Sequence, residues 1–323
     1  MNKHFKLFIL FIISIVSIYF AFVGENIDEI LTQLKSVDSL KIIIAIILLI
    51  ISCIIRAYRW KILLLPFCSI SFNRVFSSTM IGYFGNGVLV FRLGELLKAH
   101  SVVKGSGVKT SQAFGTVILE RLLDLFGVLF IFMILAPWFP FNDKYVRYGA
   151  ITFSLGLGII ILVIFILYNY NLMNKIKDLS IFSTTFGKKI FNELLRMFEG
   201  ITIITRAKKT NTILISSLLL WLIYFIVSVF VLNACYINLS IVEIGILLVL
   251  GSIAIGIPAL PGSAGTYDLG IKYSLVFLFN ISSPQALNYA LVSHAVSYFP
   301  LLIIGFFYFL SSNLSFAELK EGK

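Results

Sequence analysis

The chain has 323 residues, of which 59% are hydrophobic and only 13% are charged. Soluble domains carry about 25% charged residues and about 45–50% apolar residues, so this composition excludes a soluble enzyme and indicates a protein embedded in a membrane. The formal net charge of +11 is accompanied by no nucleic-acid-binding module, and basic residues on loops that face anionic lipid explain it instead.

Six hydrophobic segments are long enough to cross a hydrocarbon core of about 30 Å, which takes roughly 20 helical residues. The first follows Lys3 and Lys6, as the core of a signal peptide would. No small-residue cleavage site closes it, so we expect a retained first helix. The predicted spans are residues 5–23, 40–64, 109–135, 148–168, 212–235 and 285–311.

Basic residues are distributed unevenly between these spans, which predicts the orientation of the chain. Segment 24–41 carries four acidic residues against two lysines and is predicted to be external. Segment 56–109 and the loop 169–211 each carry eight Lys or Arg residues and are predicted to be cytoplasmic. Hydrophobic residues at helical spacing from Phe186 to Phe198 predict an amphipathic helix, either on the inner leaflet or against the bundle. Both termini then lie in the cytoplasm, and we expect the chain in the plasma membrane.

Two further apolar stretches, residues 72–104 and 241–281, are interrupted by glycine or proline. The spans on either side of 72–104 end and begin inside, so this stretch must enter and leave from the cytoplasm. Its arms of about 10–17 residues are too short or marginal for a full crossing, and we predict a re-entrant hairpin. The stretch 241–281 enters from the opposite face, either as a second re-entrant hairpin or as two short spans.

These two interruptions predict both the fold class and the location of a site. Broken helices at membrane depth are tolerated only against protein or water, and two of them at corresponding positions of two halves are typical of a transporter's substrate site. The predicted fold class is all-α: a polytopic membrane helix bundle with about six full spans plus two broken or re-entrant helix pairs in an inverted repeat.

Span 109–135 carries three charged residues near the middle of the membrane, namely Glu120, Arg121 and Asp124. Side chains three or four residues apart share a helix face. A charge at that depth costs at least about 2.5 kcal/mol, so each should have a partner or water. Two interpretations stay open: an internal ion pair that fixes helix packing, or a cluster that lines a hydrated cavity.

Charged residues also follow each interruption. Arg92 and Glu95 come after the first, and the fork of donors on an arginine suits a phosphate. Arg92 therefore either holds a lipid phosphate or forms a salt bridge with Glu95 or Glu120. Asp268 follows the second interruption, where it either pairs with Lys272 or takes part in proton-coupled or head-group binding.

Other polar residues allow simpler explanations. Arg56 and Arg59 end the second span, and we expect them to reach the inner interface with their long side chains. His294 lies in the last span, where a histidine either relays protons or forms a hydrogen bond between helices. The three cysteines lack metal-ligand spacing, and no catalytic or nucleotide-binding motif is present. We therefore expect no metal, no cofactor and no catalytic residue.

Four blocks of residues resemble the lysylphosphatidylglycerol synthase transmembrane-region family of flippase-like membrane proteins. They are Arg56-Ala57-Tyr58-Arg59-Trp60, Asn86 with Arg92-Leu93-Gly94-Glu95, Glu120-Arg121-Leu122-Leu123-Asp124, and Leu260-Pro261-Gly262-Ser263-Ala264-Gly265 with Asp268. The resemblance implies movement of polar or anionic lipids between leaflets. The chain ends at Lys323, twelve residues beyond the last predicted span, so we expect no aminoacyl-transferase domain.

Two classes of function stay open at this point. In the first, a flippase or transporter binds a lipid head group in a cavity formed by Arg56, Arg59, Asn86, Arg92, Glu95, Glu120, Arg121, Asp124 and Asp268. In the second, the chain is a membrane-embedded enzyme acting on polyprenyl-phosphate sugars, or an auxiliary subunit of a glycosyltransferase or aminoacyl-lipid pathway. The expected partners are membrane lipids, anionic or lipid-linked, with a separate transferase or a second copy of the chain as further alternatives.

Overall fold

A computed structural model of the chain describes residues 3–106, 108–140, 209–257 and 260–312, with Leu314 and single positions between 144 and 159. Within these ranges the chain is helical and contains no strand. Most of the predicted span 148–168 lies outside the described residues. The predicted amphipathic helix around residues 186–198 lies outside them as well.

Ten α-helices make up the described part of the chain. They are α1 (Lys3–Phe22), α2 (Ile27–Ser36), α3 (Ser39–Leu64), α4 (Phe72–Val88), α5 (Gly94–Val103), α6 (Thr110–Leu135), α7 (Thr210–Ala234), α8 (Ile241–Gly256), α9 (Thr266–Phe279) and α10 (Ser283–Leu310). Polar caps fix several of the helix starts. Asp38 accepts hydrogen bonds from the first backbone N–H groups of α3, and Ser240 with Glu243 forms a capping box on α8.

Three of these helices are long and apolar enough to cross a membrane, judged by length and composition over the described residues: α3, α7 and α10. Helices α1 and α2 are bent by 85° against each other and give a fourth candidate if the bent pair counts as one span. Helix α6 has 26 residues and is apolar overall, but its three charged residues, Glu120, Arg121 and Asp124, exclude it from these candidates. The described residues therefore give three or four candidate spans, and the count of six stays a prediction.

Helices α4 and α5 form an antiparallel hairpin, here called the first hairpin. The hydroxyl oxygens of Ser78 and Ser101 lie 3.0 Å apart, and Gly85 lies so close to Gly94 that an added Cβ would be 2.7 Å from its Cα atom. The tip, residues 89–93, contains the 3-10 turn Val90–Arg92. The missing side chain at Gly85 thus allows the two arms to touch along their backbones.

Helices α8 and α9 form a second antiparallel hairpin. A Cβ added at Gly270 would lie 2.9 Å from Ala254, and one added at Gly251 would lie 3.2 Å from Ile271. Its tip includes residues 260–265, where Gly262 and Gly265 adopt φ angles of +73° and +84°. These left-handed conformations favour glycine, which explains why this stretch interrupts the helix.

The two hairpins approach each other from opposite ends of the bundle. One core cluster joins the C-terminal end of α3 to the ends of α4 and α5 that lie away from the tip, through Val75 and Val103. Another joins the N-terminal half of α3 to the corresponding ends of α8 and α9, through Ile244 and Phe279. Both tips are therefore directed toward the middle of the molecule.

Candidate functional site

The tips of the two hairpins meet in the middle of the bundle. The Nη2 atom of Arg92, in the first tip, donates a hydrogen bond to the carbonyl oxygen of Ile255 at 2.7 Å. Tyr298 of α10 joins both hairpins, because its hydroxyl donates to the carbonyl oxygen of Gly87 at 3.0 Å and its ring packs against Gly262. Residues from two distant parts of the chain thus share one contact region.

A buried carboxylate, Glu120, lies beside the first hairpin. Its Oε1 atom is 2.8 Å from Nη1 of Arg56, and its Oε2 atom is 2.7 Å from Nζ of Lys98. The Lys98 ammonium also lies over the ring of Trp60, 4.1 Å from its centre. Since Glu120 is 0% exposed, these two cations supply the stabilisation that water cannot.

Asp124, one helical turn after Glu120, binds three arginines. Its Oδ2 atom is 2.8 Å from Nη1 of Arg56, and its Oδ1 atom is 2.6 Å from Nη2 of Arg59. Arg121 contacts the same carboxylate at 3.3 Å. Tyr224 of α7 completes the environment by accepting a hydrogen bond from Nη2 of Arg56 at 2.9 Å.

Arg121 connects these ion pairs to the first hairpin. Its Nη2 atom is 3.2 Å from Oε1 of Glu95, and the same oxygen accepts a hydrogen bond from Nδ2 of Asn86 at 3.2 Å. We call the seven joined side chains the charge cluster: Arg56, Arg59, Glu95, Lys98, Glu120, Arg121 and Asp124. Four are basic and three are acidic, so the cluster carries a formal excess of one positive charge.

The expectation that Arg56 and Arg59 extend to the membrane interface is wrong. Their side chains turn into the bundle and are only 5% and 0% exposed, because the carboxylates of α6 lie directly opposite them. Lys98 was not singled out from the sequence. The signal available in the sequence was the position of Lys98, three residues after Glu95. In the structure, Gly82 of α4 leaves room for the Lys98 side chain.

Arg92 does not form the salt bridges considered for it. Glu95 pairs with Arg121 instead, and Glu120 pairs with Arg56 and Lys98. Arg92 itself is exposed at the tip, with its hydrogen bond to a backbone carbonyl. The positive φ of +53° at Arg92 directs the chain through the tight turn that leads into α5.

Asp268 lies at the second hairpin, where it does not pair with Lys272, the first of the two roles considered for it. Its Oδ1 atom is 2.8 Å from Nδ1 of His294, and its Oδ2 atom accepts a hydrogen bond from the N–H of Gly265 at 3.0 Å. Lys272 pairs instead with Glu25 at 2.7 Å, because the bend between α1 and α2 brings that carboxylate against α9. Nothing in the sequence indicates this pair, because its members are far apart in the chain.

Over the described residues, no group of three or more His, Cys, Asp or Glu side chains is arranged to hold a metal ion. Of the nine predicted site residues, seven lie together at the first hairpin and around α6. Arg92 links this group to the second hairpin, which carries Asp268.

The chain is similar in sequence to several proteins that are named as membrane proteins. The UPF0104 membrane protein MJ1078 of Methanocaldococcus jannaschii is 24% identical over 245 residues, which cover 74% of this chain and 98% of that relative. The UPF0104 membrane protein PH1989 of Pyrococcus horikoshii is 22% identical over 330 residues, with 94% and 96% covered. A third relative, UPF0104 membrane protein MJ1595 of M. jannaschii, is 26% identical over 159 residues.

The third alignment covers 48% of this chain and 47% of that relative, so the chain matches about half of its length. No solved structure matches the chain significantly. The family described as the lysylphosphatidylglycerol synthase TM region matches residues 7–305. The chain is therefore a member of the lysylphosphatidylglycerol synthase transmembrane-region family and a multi-pass membrane protein.

Proposed function

We propose that the chain is a flippase-like protein that binds a lipid with a polar or anionic head group and moves it between the leaflets of the plasma membrane. In this proposal the chain crosses the membrane about six times with both termini in the cytoplasm. The two hairpins are re-entrant elements of an inverted repeat, and the head group passes between their tips while the acyl chains stay in lipid.

The observation that carries the proposal is the meeting of the two hairpin tips beside the charge cluster. Irregular backbone in the membrane interior needs protein or water around it, and charged side chains there mark substrate pathways more often than structural positions. Arg92 contacts Ile255 across the junction of the tips at 2.7 Å. A substrate that passes between the hairpins must therefore displace this contact.

Electrostatics favours an anionic head group over a neutral one. The charge cluster has one more basic than acidic side chain, and Arg92 adds a further positive charge at the tip contact. In the described contacts Arg92 uses its guanidinium on a single carbonyl oxygen. A guanidinium has five N–H donors and binds phosphate through two of them. A lipid phosphate is thus a stronger partner for Arg92 than the Ile255 carbonyl.

Purified protein in liposomes tests this proposal. A fluorescent phosphatidylglycerol is placed in both leaflets of the liposomes. A reducing agent added outside destroys the dye in the outer leaflet, so further loss of fluorescence reports lipid that moves from the inner leaflet to the outer one. We expect Arg92→Ala to slow this movement about tenfold or more, because a hydrogen bond to a charged group contributes about 1.5–3 kcal/mol. Lys35→Ala, at an exposed position on α2, serves as the control.

Two results would overturn the proposal. One is lipid movement in the Arg92→Ala variant at the rate of the unmodified protein. The other is a covalently altered lipid after incubation, since a changed product indicates an enzyme rather than a transporter. Thin-layer chromatography of the recovered lipid detects that product in the same samples.

A further inference from the structure

His294 of α10 lies against the second hairpin, and both of its ring nitrogens face oxygen atoms. Its Nδ1 atom is 2.8 Å from Oδ1 of Asp268, and its Nε2 atom is 2.9 Å from the carbonyl oxygen of Gly262. The imidazole therefore connects α9 and the tip of the second hairpin to α10. Among the described residues, His294 is the side chain whose two ring nitrogens contact both Asp268 of α9 and Gly262 of the second tip.

These two contacts fix how many protons the site holds. The carbonyl oxygen of Gly262 can only accept, so Nε2 must carry a hydrogen. The contact between Nδ1 and Asp268 then needs one more proton, either on the imidazole, which becomes a cation, or on the carboxyl group, which becomes neutral. In both forms the pair holds one proton more than a neutral histidine beside an ionised aspartate.

From this geometry we propose that His294 and Asp268 form a proton-binding site that holds the second tip closed, and that a proton drives the lipid movement proposed above. The inference rests on that proposed function for its role in transport, but the site itself does not. When the proton leaves, only one ring nitrogen of His294 still carries a hydrogen. The other nitrogen then directs its lone pair at a lone pair of its oxygen partner. Either His294 separates from Asp268 or it releases the Gly262 carbonyl.

The surroundings turn the loss of one hydrogen bond into movement of the tip. Gly262 packs against the ring of Tyr298, whose hydroxyl also holds the carbonyl of Gly87 in the first hairpin. Ser263, the next residue, has a φ of +61°, which is unfavourable for a residue with a side chain. Release of Gly262 therefore loosens the contact between the two tips.

The other titratable groups around His294 do not replace its proton. Tyr267 of α9 and Tyr298 flank the imidazole, with ring centres 5.1 and 5.8 Å away. Tyr267 donates to Ser293, and Lys272, one helical turn after Asp268, is paired with Glu25. Arg92 in the first tip is the charged group that faces this region across the junction.

Protons can reach the site. The side chains of His294 and Asp268 are 18% and 10% exposed, so the pair is enclosed without being sealed. Asp268 cannot easily rotate away, since its second oxygen is held by the N–H of Gly265 at 3.0 Å. The pair thus combines a fixed geometry with access for exchange.

The distance between the tips tests the proposal without any measurement of transport. Spin labels are attached to cysteines at Leu93 and Ile257, which are 42% and 45% exposed, after replacement of Cys53, Cys68 and Cys235. Electron–electron distances are then recorded in liposomes from about pH 5 to pH 8, the range in which histidine changes charge. We expect a short, narrow distance at low pH and a longer or broader one at high pH.

Three variants complete the experiment. His294→Gln keeps a donor but cannot gain a charge, and Asp268→Asn keeps the acceptor for Gly265, so both should abolish the pH dependence. Ser297→Ala, on the same helix but bonded only to α10 carbonyls, should retain it.

A distance in the unmodified protein that does not change with pH would overturn the proposal, and so would an unchanged midpoint in His294→Gln. The unmodified protein decides the question even if a variant does not fold. If lipid transport fails but the distance between the tips still changes with pH, only the proposed transport function is overturned and the proton-binding site is supported.

Discussion

Arg92 and Ile255 are 163 residues apart in the chain, yet the guanidinium of the first donates to the carbonyl oxygen of the second at 2.7 Å. This hydrogen bond links the tip of the first hairpin to the end of α8. Because the two hairpins extend from opposite ends of the bundle, this bond joins elements that reach the middle of the molecule from opposite directions.

Gly85 is predicted to be required for close packing of the first hairpin. A Cβ at this position would lie 2.7 Å from Gly94, so Gly85→Ala should overpack the contact and lower the free energy of unfolding by about 1–3 kcal/mol. Gly115→Ala in α6 is the matched control, because nothing lies within 4 Å of its added Cβ. Thermal denaturation in detergent measures both. Equal stability of the two variants would contradict the close packing.

Glu120 is predicted to contribute most to the charge cluster. Glu120→Gln leaves Lys98 buried without its counter-charge and leaves Arg56 paired with Asp124 alone, so the protein should lose about 3–5 kcal/mol. Lys98→Met combined with Glu120→Gln should recover part of that loss, because one unpaired cation is removed. Thermal denaturation of the single and double variants gives the coupling. Glu29→Gln, at an exposed site on α2, is the control.

Lys272 and Glu25 are predicted to hold the bend between α1 and α2 against α9. Lys272→Met removes the ion pair at 2.7 Å and also the hydrogen bond to the carbonyl oxygen of Ala21 at 2.6 Å. Glu25→Gln removes only the first of these. We therefore expect Lys272→Met to be the more destabilising change, with faster proteolysis near residues 23–26. The reverse order would show that the carboxylate is held mainly by another group.

Tyr298 is predicted to connect the two tips through its hydroxyl. Tyr298→Phe keeps the ring against Gly262 but removes the hydrogen bond to Gly87, which should cost about 0.5–1.5 kcal/mol. Hydrogen–deuterium exchange should become faster at residues 87–93, while exchange in α7 stays the same. Unchanged exchange at the first tip would mean that Arg92 alone holds the junction.

The interruptions of the two hairpins could be predicted from the sequence because glycine and proline act locally. Gly262 and Gly265 adopt left-handed φ angles that other residues avoid, and this requirement is visible in the residue types themselves. The acidic and basic residues of α6 were also recognisable, since charge within an apolar segment is unusual. Local chemistry of this kind needs no knowledge of the fold.

The pairing of charges could not be predicted, because it depends on how distant helices pack. Arg56 is 64 residues from Glu120, and its position at the end of an apolar span suggested the interface rather than the interior. From the sequence, pairing of Lys272 with Asp268, an acid one helical turn away, was one of two alternatives. The structure pairs it with Glu25, because the bend between α1 and α2 places that residue closer in space.

The count of spans illustrates a second limit. The three charged residues of α6, rather than its hydropathy, exclude it from the candidate spans of the described residues, although it is as long as α3. Its three charged residues are paired with side chains from α3 and α5, so their cost inside a membrane is reduced. A criterion that counts charged residues one by one cannot include such pairs.

Joining the two tips covalently tests the central claim most directly. Cysteines at Leu93 and Ile257, in the background without native cysteines, are connected by a bifunctional thiol reagent with a reducible bond. The account predicts that the connected protein stops moving fluorescent phosphatidylglycerol in liposomes and that reduction restores the movement. Undiminished movement with the tips connected would contradict passage of the head group between the hairpins.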